Sequence, residues 1–292
     1  MNILLIGHKG YLGTGLFKYL SKNHKIIGWD KEEDLFNLTT SILIKEKIDV
    51  VLNFSVAADR QSTIFMIDSP TDLVNVQGSH HLAHILKGTD VGWFHISTRE
   101  VFKTAYGHKD ITHTKQGYRP KYLVDEEFEI SPPNCYGKSK LMGEFISESH
   151  PKSNVIRLST CYTDFDHMWG NWIVKMIKSA LQGKTVSLAG GGLQFRDPLH
   201  INDLGHLIEL LIYKNIWGKK INAGGGDKNL ISLDEFIRTA IPHVQTEESP
   251  GGDYGFAFNN NKAENLTGWK PKVLFRERIP IIVKNISQRI SK

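Results

Sequence analysis

The first half of the chain alternates short apolar runs with amphipathic segments of helical period. The apolar runs predict buried strands at Ile3–Ile6, Lys25–Trp29, Val50–Phe54, Val91–Ser97 and Asn154–Leu158. The segments between them predict helices at Tyr11–Leu20, Ser41–Lys47, Thr71–Leu86 and Tyr136–Ser149. Strands that alternate with helices in this rhythm form a parallel sheet covered on both faces. Because such crossovers are right-handed, the pattern predicts an α/β fold with a doubly wound Rossmann sheet.

Beyond residue 160 the pattern loosens. Helical periodicity predicts helices at Asn171–Gln182, Ile201–Tyr213 and Leu233–Ile241, short helical structure from Arg276 onward, and a turn at Gly190–Gly192. The segment Lys103–Val124 is polar and aromatic without periodicity, so we predict a long loop there. A loop of that length in a compact protein is either a cover over a binding site or disordered.

Three glycines lie between the first strand and the first helix, in GHKGYLG at residues 7–13. Gly7 allows a sharp turn, Gly10 allows the backbone to approach a pyrophosphate, and Gly13 allows the helix to pack closely on the strand. The amino terminus of the helix then offers free N–H groups and the positive end of its dipole to phosphates. The arrangement predicts a dinucleotide-binding site.

Asp30 follows the second predicted strand. An acid at this place accepts hydrogen bonds from the hydroxyls of an adenosine ribose and repels a 2′-phosphate, which favours NAD over NADP. Lys31 beside it keeps NADP open. The alternative is a solvated loop acid within the acidic segment Asp30–Asp34.

Tyr136 and Lys140 lie four positions apart in NCYGKSKLMGE, so they share one face of the predicted helix. A tyrosine with an ordinary pKa of about 10 is a poor base near neutral pH. A lysine ammonium nearby, together with the positive nicotinamide ring, favours the phenolate. We therefore predict that Tyr136 exchanges a hydroxyl proton while a hydride moves. An amphipathic helix that carries the pair by chance is the alternative, and it leaves the glycine turn unexplained.

Further polar residues lie at strand ends. Thr98 follows the fourth strand, where a hydroxyl can hydrogen-bond the reacting oxygen, and Ser97 is the competing candidate. Glu100 serves either as a second acid or base, or as a cap of a neighbouring turn. Asn53 and Asn75 are either core-facing caps or bridges to cofactor hydroxyls or buried water.

Composition narrows the class of protein. A hydrophobic content of 40% and a charged content of 23% are ordinary for a globular chain. No apolar run approaches the roughly 18 residues needed to span a bilayer, and the apolar amino terminus is predicted to be a strand rather than an export signal. Cys135 and Cys161 are too few for a disulfide framework or a cysteine-rich zinc site, so we predict a cytoplasmic protein without a metal. The net charge of +5 comes from scattered residues, which suits an anionic small molecule and not a nucleic acid.

Together these residues resemble the extended short-chain dehydrogenase/reductase family, in its NAD-dependent epimerase/dehydratase branch. The matching segments are GHKGYLG (7–13), DVVLNFSVAAD (49–59), VNVQGS (74–79), STREVF (97–102), PPNCYGKSKLMGE (132–144), FRDPLHINDLG (195–205), INAGGG (221–226), ISLDEF (231–236) and LTGWKPKV (266–273). The resemblance covers nearly the whole chain. The order and spacing of these segments together identify the family.

The resemblance implies a Rossmann domain over residues 1–160, completed by 195–222, and a smaller, mostly C-terminal substrate-binding domain over 161–194 and 223–292. It implies a nucleotide-sugar substrate in the cleft between them and a homodimer formed beside the Tyr136 helix. The implied catalytic residues are Thr98, Tyr136 and Lys140, with Glu100 added. The candidate cofactor-binding residues are Gly7, Gly10, Tyr11, Leu12, Gly13, Asp30, Asn53, Ser55, Ala57, Asn75, Tyr136 and Lys140. The candidate substrate-binding residues are Thr98, Asn171 and Arg196.

The same resemblance implies that Arg196 lies near a substrate diphosphate. Its structural alternative is a salt bridge with Asp197 or Asp203. Two departures from the family are informative. Dehydratases of the dTDP-glucose type carry Asp-Glu after the threonine, whereas this chain has Arg99-Glu100, which argues against such a dehydratase. The usual Asn-x-Tyr-Gly-Pro turn is replaced by TCYTDF.

These features predict an NAD(P)-dependent oxidoreductase of the epimerase/dehydratase type that acts at a sugar carbon, most often C4. A nucleotide 4-ketosugar reductase is the alternative, since chain length, Asn53 and residues 170–177 resemble dTDP-4-dehydrorhamnose reductases, whereas residues 195–205 resemble epimerases. A non-catalytic sensor that kept the dinucleotide fold is a second class, but such proteins commonly lose the tyrosine or the lysine. A reductase of a non-nucleotide ketone is a third class, against which Arg196 argues.

Overall fold

The computed structural model describes residues 1–103, 105–168 and 170–290. The strands are β1 (Asn2–Ile6), β2 (Lys25–Trp29), β3 (Val50–Asn53), β4 (Gly92–Thr98), β5 (Ile111–Thr114), β6 (Gly117–Pro120), β7 (Ser153–Leu158), β8 (Cys161–Tyr162), β9 (Val186–Ala189), β10 (Phe195–Arg196), β11 (Leu199–His200), β12 (Lys219–Ala223), β13 (Ile231–Ser232) and β14 (Thr246–Ser249). The helices are α1 (Tyr11–Leu20), α2 (Thr40–Lys45), α3 (Gly78–Leu86), α4 (Cys135–Ser147), α5 (Trp172–Leu181), α6 (Ile201–Tyr213), α7 (Leu233–Ala240), α8 (Asn261–Thr267) and α9 (Phe275–Ile290). Thr104, Trp169, Ser291 and Lys292 belong to predicted segments but lie outside these described residues.

The central sheet has six parallel strands in the order β2-β1-β3-β4-β7-β12. Ile3 of β1 pairs with Ile26 on one side and with Val50 on the other. Because β2 and β3 lie on opposite sides of β1, the winding reverses there and opens a crevice at the carboxyl ends of the strands. The prediction of an α/β fold with a doubly wound parallel sheet is confirmed.

Alternate residues of β1 supply two different layers of the core. Ile3 and Leu5 pack with Leu16 of α1 and with α6 on one face of the sheet. Leu4 and Ile6 pack with residues of α2 and α3 on the other face. This alternation explains why the strand is a continuous apolar run, since both faces of a parallel sheet are covered by helices.

Helices α5, α7 and α9 share a separate apolar core, built around Ile177, Phe236 and Ile282. These helices lie within the segments that the sequence assigns to the substrate-binding domain. The domain boundaries themselves stay a prediction. No helix in the described ranges is long and apolar enough to cross a membrane.

The prediction of a loop over Lys103–Val124 is wrong for part of that segment, because β5 and β6 form an antiparallel hairpin in which Ile111 pairs with Pro120. Only Ile111 is buried in β5, so no alternation of apolar and polar residues marks the strand. Contacts distant in sequence hold the hairpin. The N–H of Tyr118 donates to the carbonyl of Leu193 at 2.8 Å, and Arg119 pairs with Glu235 at 2.9 Å.

Several helices differ from the sequence prediction. The predicted helix Thr71–Leu86 is wound as π-helix over Asp72–Gln77 before it continues as α3. The tail is the single helix α9, with Pro280 inside it, rather than short pieces. Helix α8 and the two-residue strands of the second half were not predicted, since two-residue strands and a seven-residue helix carry no measurable period. Strand β12 was not predicted either.

Candidate active site

The glycine turn joins β1 to α1. Gly7 has a φ of 80°, which favours glycine, and its N–H donates to the carbonyl of Trp29 at 2.7 Å. A Cβ at Gly13 would collide with the carbonyl oxygen of Gly7, so only glycine lets α1 begin this close to β1. Gly10 precedes the helix, and no side chain caps its first turn. The first N–H groups of α1 are therefore offered to an anion.

Asp30 lies at the end of β2, beside this turn. Its carboxylate accepts hydrogen bonds from the backbone N–H of Lys9 at 2.8 Å and of Lys31 at 2.9 Å. His8 Nδ1 lies 3.7 Å from the same carboxylate. Asp30 is thus tied to the glycine turn and is not an isolated surface acid. The side chain of Lys9 pairs instead with Glu32, at 3.1 Å.

The residues predicted after β3 form a bonded network. Asn53 is buried, and its Oδ1 accepts hydrogen bonds from the N–H of Ser55 at 3.1 Å and from its hydroxyl at 2.6 Å. The Asn75 amide accepts from the N–H of Ala57 at 3.0 Å, and it donates to the Ala57 carbonyl at 2.7 Å and to the Ser139 hydroxyl at 2.8 Å. Asn75 therefore clamps the segment after β3 to α4, the capping alternative that the sequence left open.

Helix α4 brings Tyr136 to the end of β4. Asn134 caps the helix by accepting from the N–H of Gly137 at 2.8 Å. A Cβ at Gly137 would collide with the carbonyl of Glu100, so this glycine allows α4 to approach the turn after β4. Burial raises the pKa of the Tyr136 phenol and Glu100 adds to this, whereas Arg60 and a hydrogen bond with Thr98 favour the phenolate. The predicted lowering of this pKa by Lys140 and the nicotinamide ring concerns the protein with its cofactor bound, and it stays a prediction.

Lys140 lies one helical turn beyond Tyr136 and is 3% exposed. Burial lowers the pKa of its ammonium to about 8, and Glu144 opposes this. Glu144 forms a fully buried ion pair with Arg157 at 2.7 Å. Its carboxylate also accepts a hydrogen bond from the Ser97 hydroxyl. Ser97, the competitor of Thr98, is thus occupied below the site.

Glu100 is engaged on both oxygens. One accepts from Arg60 Nε at 2.7 Å and the other from the Asn134 amide at 2.8 Å. The Arg60 guanidinium also lies over the Tyr136 ring, 4.4 Å from its centroid. Arg60 was not among the predicted site residues, because a lone arginine after VAAD forms no sequence pattern that indicates this contact.

Arg196 lies in β10, and neither predicted salt-bridge partner holds it. Its guanidinium donates to Asp253 at 3.0 and 3.3 Å and to the carbonyl of Phe195 at 2.7 Å. Arg99 reaches the same Asp253 at 3.8 Å. Burial lowers the pKa of Arg196 to about 10, and Arg99 contributes to this. Two guanidinium groups thus share one carboxylate, a local excess of positive charge that the sequence did not reveal.

The proposed salt-bridge partners of Arg196 have other contacts. The carboxylate of Asp203 accepts from the N–H groups of Lys272 and Val273 at 3.1 and 3.0 Å. The carboxyl of Asp197 is fully buried, where it accepts from the Ser159 hydroxyl and from the N–H of Phe258 at 3.0 Å. Burial raises the pKa of Asp197 to about 7. Both acids serve the packing of the chain and leave Arg196 to Asp253.

Two predicted residues are occupied by structural contacts. Asn171 caps α5, accepting from the N–H of Ile173 at 3.0 Å, and donates to the carbonyl of Cys161 at 2.9 Å. Tyr11 is buried, and its hydroxyl accepts from the N–H of Thr163 at 3.0 Å. Leu12 packs against both apolar cores beside the turn. Within the described residues no cluster of histidine, cysteine or acidic side chains is arranged to hold a metal.

Comparison with known proteins gives consistent matches over the chain. dTDP-glucose 4,6-dehydratase of Haemophilus influenzae is 22% identical over 344 residues, covering 97% of this chain and 97% of that protein. The solved UDP-glucuronic acid 4-epimerase from Bacillus cereus, in complex with UDP-glucuronic acid and NAD, has a TM-score of 0.83 at 22% identity and covers 99% of this chain and 100% of that one. The dTDP-glucose 4,6-dehydratase from Bacillus anthracis, in complex with NAD, has a TM-score of 0.79 at 24% identity, with 100% and 98% covered.

Likeness at these identities shows a shared fold. The family follows from a different match, because the model described as the RmlD substrate binding domain matches residues 1–225, well over half of the chain. The resemblance to extended short-chain dehydrogenase/reductases is thereby confirmed. The chain belongs to the RmlD substrate binding domain family, within the epimerase/dehydratase branch of those enzymes.

Proposed function

We propose that this protein is an NAD-dependent oxidoreductase that acts on a nucleotide-linked sugar, with hydride transfer at a sugar carbon. The observation that carries the proposal is that Tyr136 lies beside Thr98 at the carboxyl end of β4, with Lys140 one helical turn further along α4, close to the crevice beside the glycine turn. A crevice at this edge is where doubly wound folds bind their ligands.

The residues present fit NAD. The close approach at Gly13 and the uncapped first turn of α1 suit the pyrophosphate, and each carboxylate oxygen of Asp30 keeps acceptor capacity for a ribose hydroxyl. The ammonium of Lys140, one helical turn beyond Tyr136, supplies hydrogen-bond donors for the other ribose. When bound, NAD accepts a hydride from the sugar carbon or returns one to it.

The proton chemistry belongs to the side chains. As the hydride leaves the sugar carbon, the proton of that carbon's hydroxyl moves to Tyr136 Oη, and in reduction it moves back. The Thr98 hydroxyl is placed to hydrogen-bond the same oxygen, and the Lys140 ammonium stabilises the phenolate. Burial of all three side chains excludes water from the transfer.

Arg196 and Arg99 form the proposed diphosphate end of the cleft. They share the single carboxylate of Asp253, which leaves net positive charge for an anion. A guanidinium binds phosphate oxygens in a planar, paired geometry. The substrate of the related Bacillus cereus epimerase carries such a diphosphate, since that structure holds UDP-glucuronic acid.

Epimerisation or a related redox change at the sugar suits the site better than dehydration of the dTDP-glucose type. Arg99 follows Thr98 where those dehydratases have an aspartic acid. Its guanidinium lies near Asp253 and cannot protonate a leaving hydroxyl as a carboxylic acid would. Both oxygens of Glu100 are hydrogen-bonded, which favours a positioning role for it over proton transfer. A 4-ketosugar reductase is the second candidate, because Asn53 and residues 170–177 resemble those of dTDP-4-dehydrorhamnose reductases.

The decisive experiment measures the melting temperature of the protein with NAD and a panel of UDP-, dTDP-, GDP- and CDP-sugars. Every sugar that raises the melting temperature is then incubated with the enzyme, and its products are separated. Interconverted sugars with unchanged cofactor indicate an epimerase, whereas stoichiometric loss of NADH with a keto-sugar indicates a reductase. If no nucleotide-sugar stabilises the protein or is converted, the proposal is wrong.

We also propose a cytoplasmic homodimer. Met142 and Phe145 lie three positions apart on α4, the helix that carries Tyr136, and they are 41% and 59% exposed. They form an exposed apolar strip on this helix. Cys135 and Cys161 are free buried thiols, which suit a reducing compartment. Sedimentation of the wild type and of Phe145→Lys tests the dimer, which requires a dimeric wild type and a monomeric variant.

A further inference from the structure

We propose that Arg60 is a positioning residue of the reaction, which holds its guanidinium against the ring of Tyr136 and, opposed by Glu100, sets how readily the phenol releases its proton. The inference rests on the proposed function only in taking Tyr136 as the group that exchanges the proton. The contact between Arg60 and Tyr136 is observed in this chain itself, whatever its substrate is.

The backbone builds the place of Arg60. The N–H of Tyr136 donates to the carbonyl of Asp59 at 2.9 Å, which ties the segment before Arg60 to the first turn of α4. The carboxylate of Asp59 accepts from the N–H groups of Gln61 and Ser62 at 3.1 and 2.9 Å, so the turn around Arg60 is closed on itself. Arg60 is therefore held beside the ring by its neighbours on both sides.

The side chain of Arg60 makes two contacts at once. Its guanidinium carbon lies 4.4 Å from the centroid of the Tyr136 ring, within the range of a cation–π interaction. Its Nε donates to Glu100 at 2.7 Å, and the other oxygen of Glu100 accepts from Asn134, the cap of α4. The chain of contacts from Arg60 through Glu100 to Asn134 thus ends on the helix that carries Tyr136.

The charges that face the phenol come from three elements. Arg60 comes from the segment after β3 and Glu100 from the turn after β4, and both act on the phenol. Lys140 is the charged residue one helical turn further along α4, the third element. A cation near the ring favours the phenolate and an anion disfavours it, so Arg60 and Glu100 act in opposite directions on the same phenol.

A merely structural role for Arg60 is a weak account. Its side chain is 55% exposed, and ion pairs at such exposure add little to the stability of a fold. Lys103 offers a matched control, because it pairs with Glu129 at 3.0 Å and is 56% exposed, but it makes no contact with Tyr136. A variant of either residue removes an exposed cation from an ion pair, although Glu100 is 15% exposed and Glu129 is 60% exposed. Only the Arg60 variant removes a cation from the phenol.

The test titrates Tyr136 directly. Protein labelled with ¹³C at the tyrosine Cζ is titrated by NMR, alone and with NAD, and the Tyr136 signal is identified by its loss in Tyr136→Phe. We expect the midpoint to rise by about one pH unit in Arg60→Gln, to fall in Glu100→Gln, and to return near the wild-type value in the double variant. Arg60→Lys keeps the charge and lies between wild type and Arg60→Gln, whereas Lys103→Gln leaves the midpoint unchanged.

The same order is expected for the pH at which turnover is half-maximal on its acidic limb. A midpoint in Arg60→Gln at or below that of wild type overturns the proposal, and so does an equal shift in Lys103→Gln. If Arg60→Gln does not fold, the comparison of Arg60→Lys and Glu100→Gln with wild type decides in the same way. The titration needs no substrate, so failure of the nucleotide-sugar proposal would leave this result readable.

Discussion

The carboxylate of Asp30 accepts a hydrogen bond from the backbone N–H of Lys9 at 2.8 Å, across the mouth of the glycine turn. The residue that follows β2 and the loop that follows β1 are thereby joined into one rim. This contact gives Asp30 two tasks, since it orders the turn and keeps free lone pairs for a ribose. The two tasks are separable by substitution.

We expect Asp30→Ala to weaken NAD binding by about 1.5–3 kcal/mol, the range for hydrogen bonds to charged groups, and to narrow the preference over NADP. Asp30→Asn is the matched control, because it keeps an acceptor for Lys9 but loses the charge that repels a 2′-phosphate. Calorimetric titration of NAD and NADP into the three proteins measures both effects. If both cofactors bind the alanine variant as they bind wild type, Asp30 serves the turn alone.

Tyr136→Phe removes the transferable proton and keeps the ring that packs at the start of α4. We expect turnover to fall at least about a hundredfold, with the melting temperature and NAD affinity nearly unchanged. The measurement combines product formation on the converted nucleotide-sugar with calorimetric titration of NAD. Turnover at the wild-type rate in this variant would contradict the role of Tyr136.

The parts of the fold that were predictable from sequence are those whose periodicity is local. Ile3 to Ile6 form an apolar run because both faces of the strand are covered, and the helix from Tyr11 to Leu20 shows its buried stripe within one window. Tyr136 and Lys140 share a helix, so their spacing alone placed them together. No window of sequence contains the contacts that hold the hairpin, since Tyr118 and Arg119 bind Leu193 and Glu235.

The contacts of the site likewise join residues that are distant in the sequence. The partner of Arg196 is 57 positions away, at Asp253, whereas sequence proximity suggested Asp197 and Asp203. The effect of burial on the pKa of the Tyr136 phenol likewise depends on tertiary packing, which no spacing in the sequence reports. The glycine turn and the helix that carries Tyr136 and Lys140 were therefore predictable from one window of sequence, whereas the contact between Arg196 and Asp253 was not.

Lys140→Met tests the buried ammonium through stability and pH. Burial lowers the pKa of Lys140 in the folded protein to about 8, below its unfolded value of about 10.4. The folded state therefore carries an unfavourable buried charge below about pH 8, and this contribution is relieved as the pH rises from there toward the unfolded pKa. We expect the variant to lose activity but to unfold with a free energy about 1–3 kcal/mol higher than wild type near neutral pH.

The stability gap between Lys140→Met and wild type should shrink as the pH approaches about 10, where the folded wild type no longer holds the charge. Urea unfolding at several pH values measures it, with Lys103→Met as the control for loss of an exposed lysine. A gap of the same size at every pH would show that apolar packing of the methionine, and not the charge, causes the difference.

The last prediction concerns the substrate end of the cleft, where Arg196 and Arg99 share Asp253. A guanidinium can hold Asp253 and clamp a diphosphate with paired hydrogen bonds, which the single ammonium of a lysine cannot reproduce. We therefore expect Arg196→Lys to fold normally, to keep its NAD affinity, and to bind the free nucleoside diphosphate at least several-fold more weakly. Arg119→Lys is the control, since Arg119 pairs with Glu235 at the hairpin in a similar partly buried setting.

Calorimetric titration of UDP, GDP, CDP and dTDP into wild type, Arg196→Lys and Arg119→Lys, each with NAD present, measures the effect of this end of the cleft. If Arg196 serves only its pair with Asp253, lysine preserves that pair, and the affinity for the diphosphate stays the same in all three proteins. Binding of one diphosphate to wild type and to Arg119→Lys, with weak binding to Arg196→Lys, supports a nucleotide-sugar enzyme. If none of the four binds wild type, a ketone reductase of another substrate class accounts better for the site, because Thr98, Tyr136 and Lys140 would serve that reaction equally well.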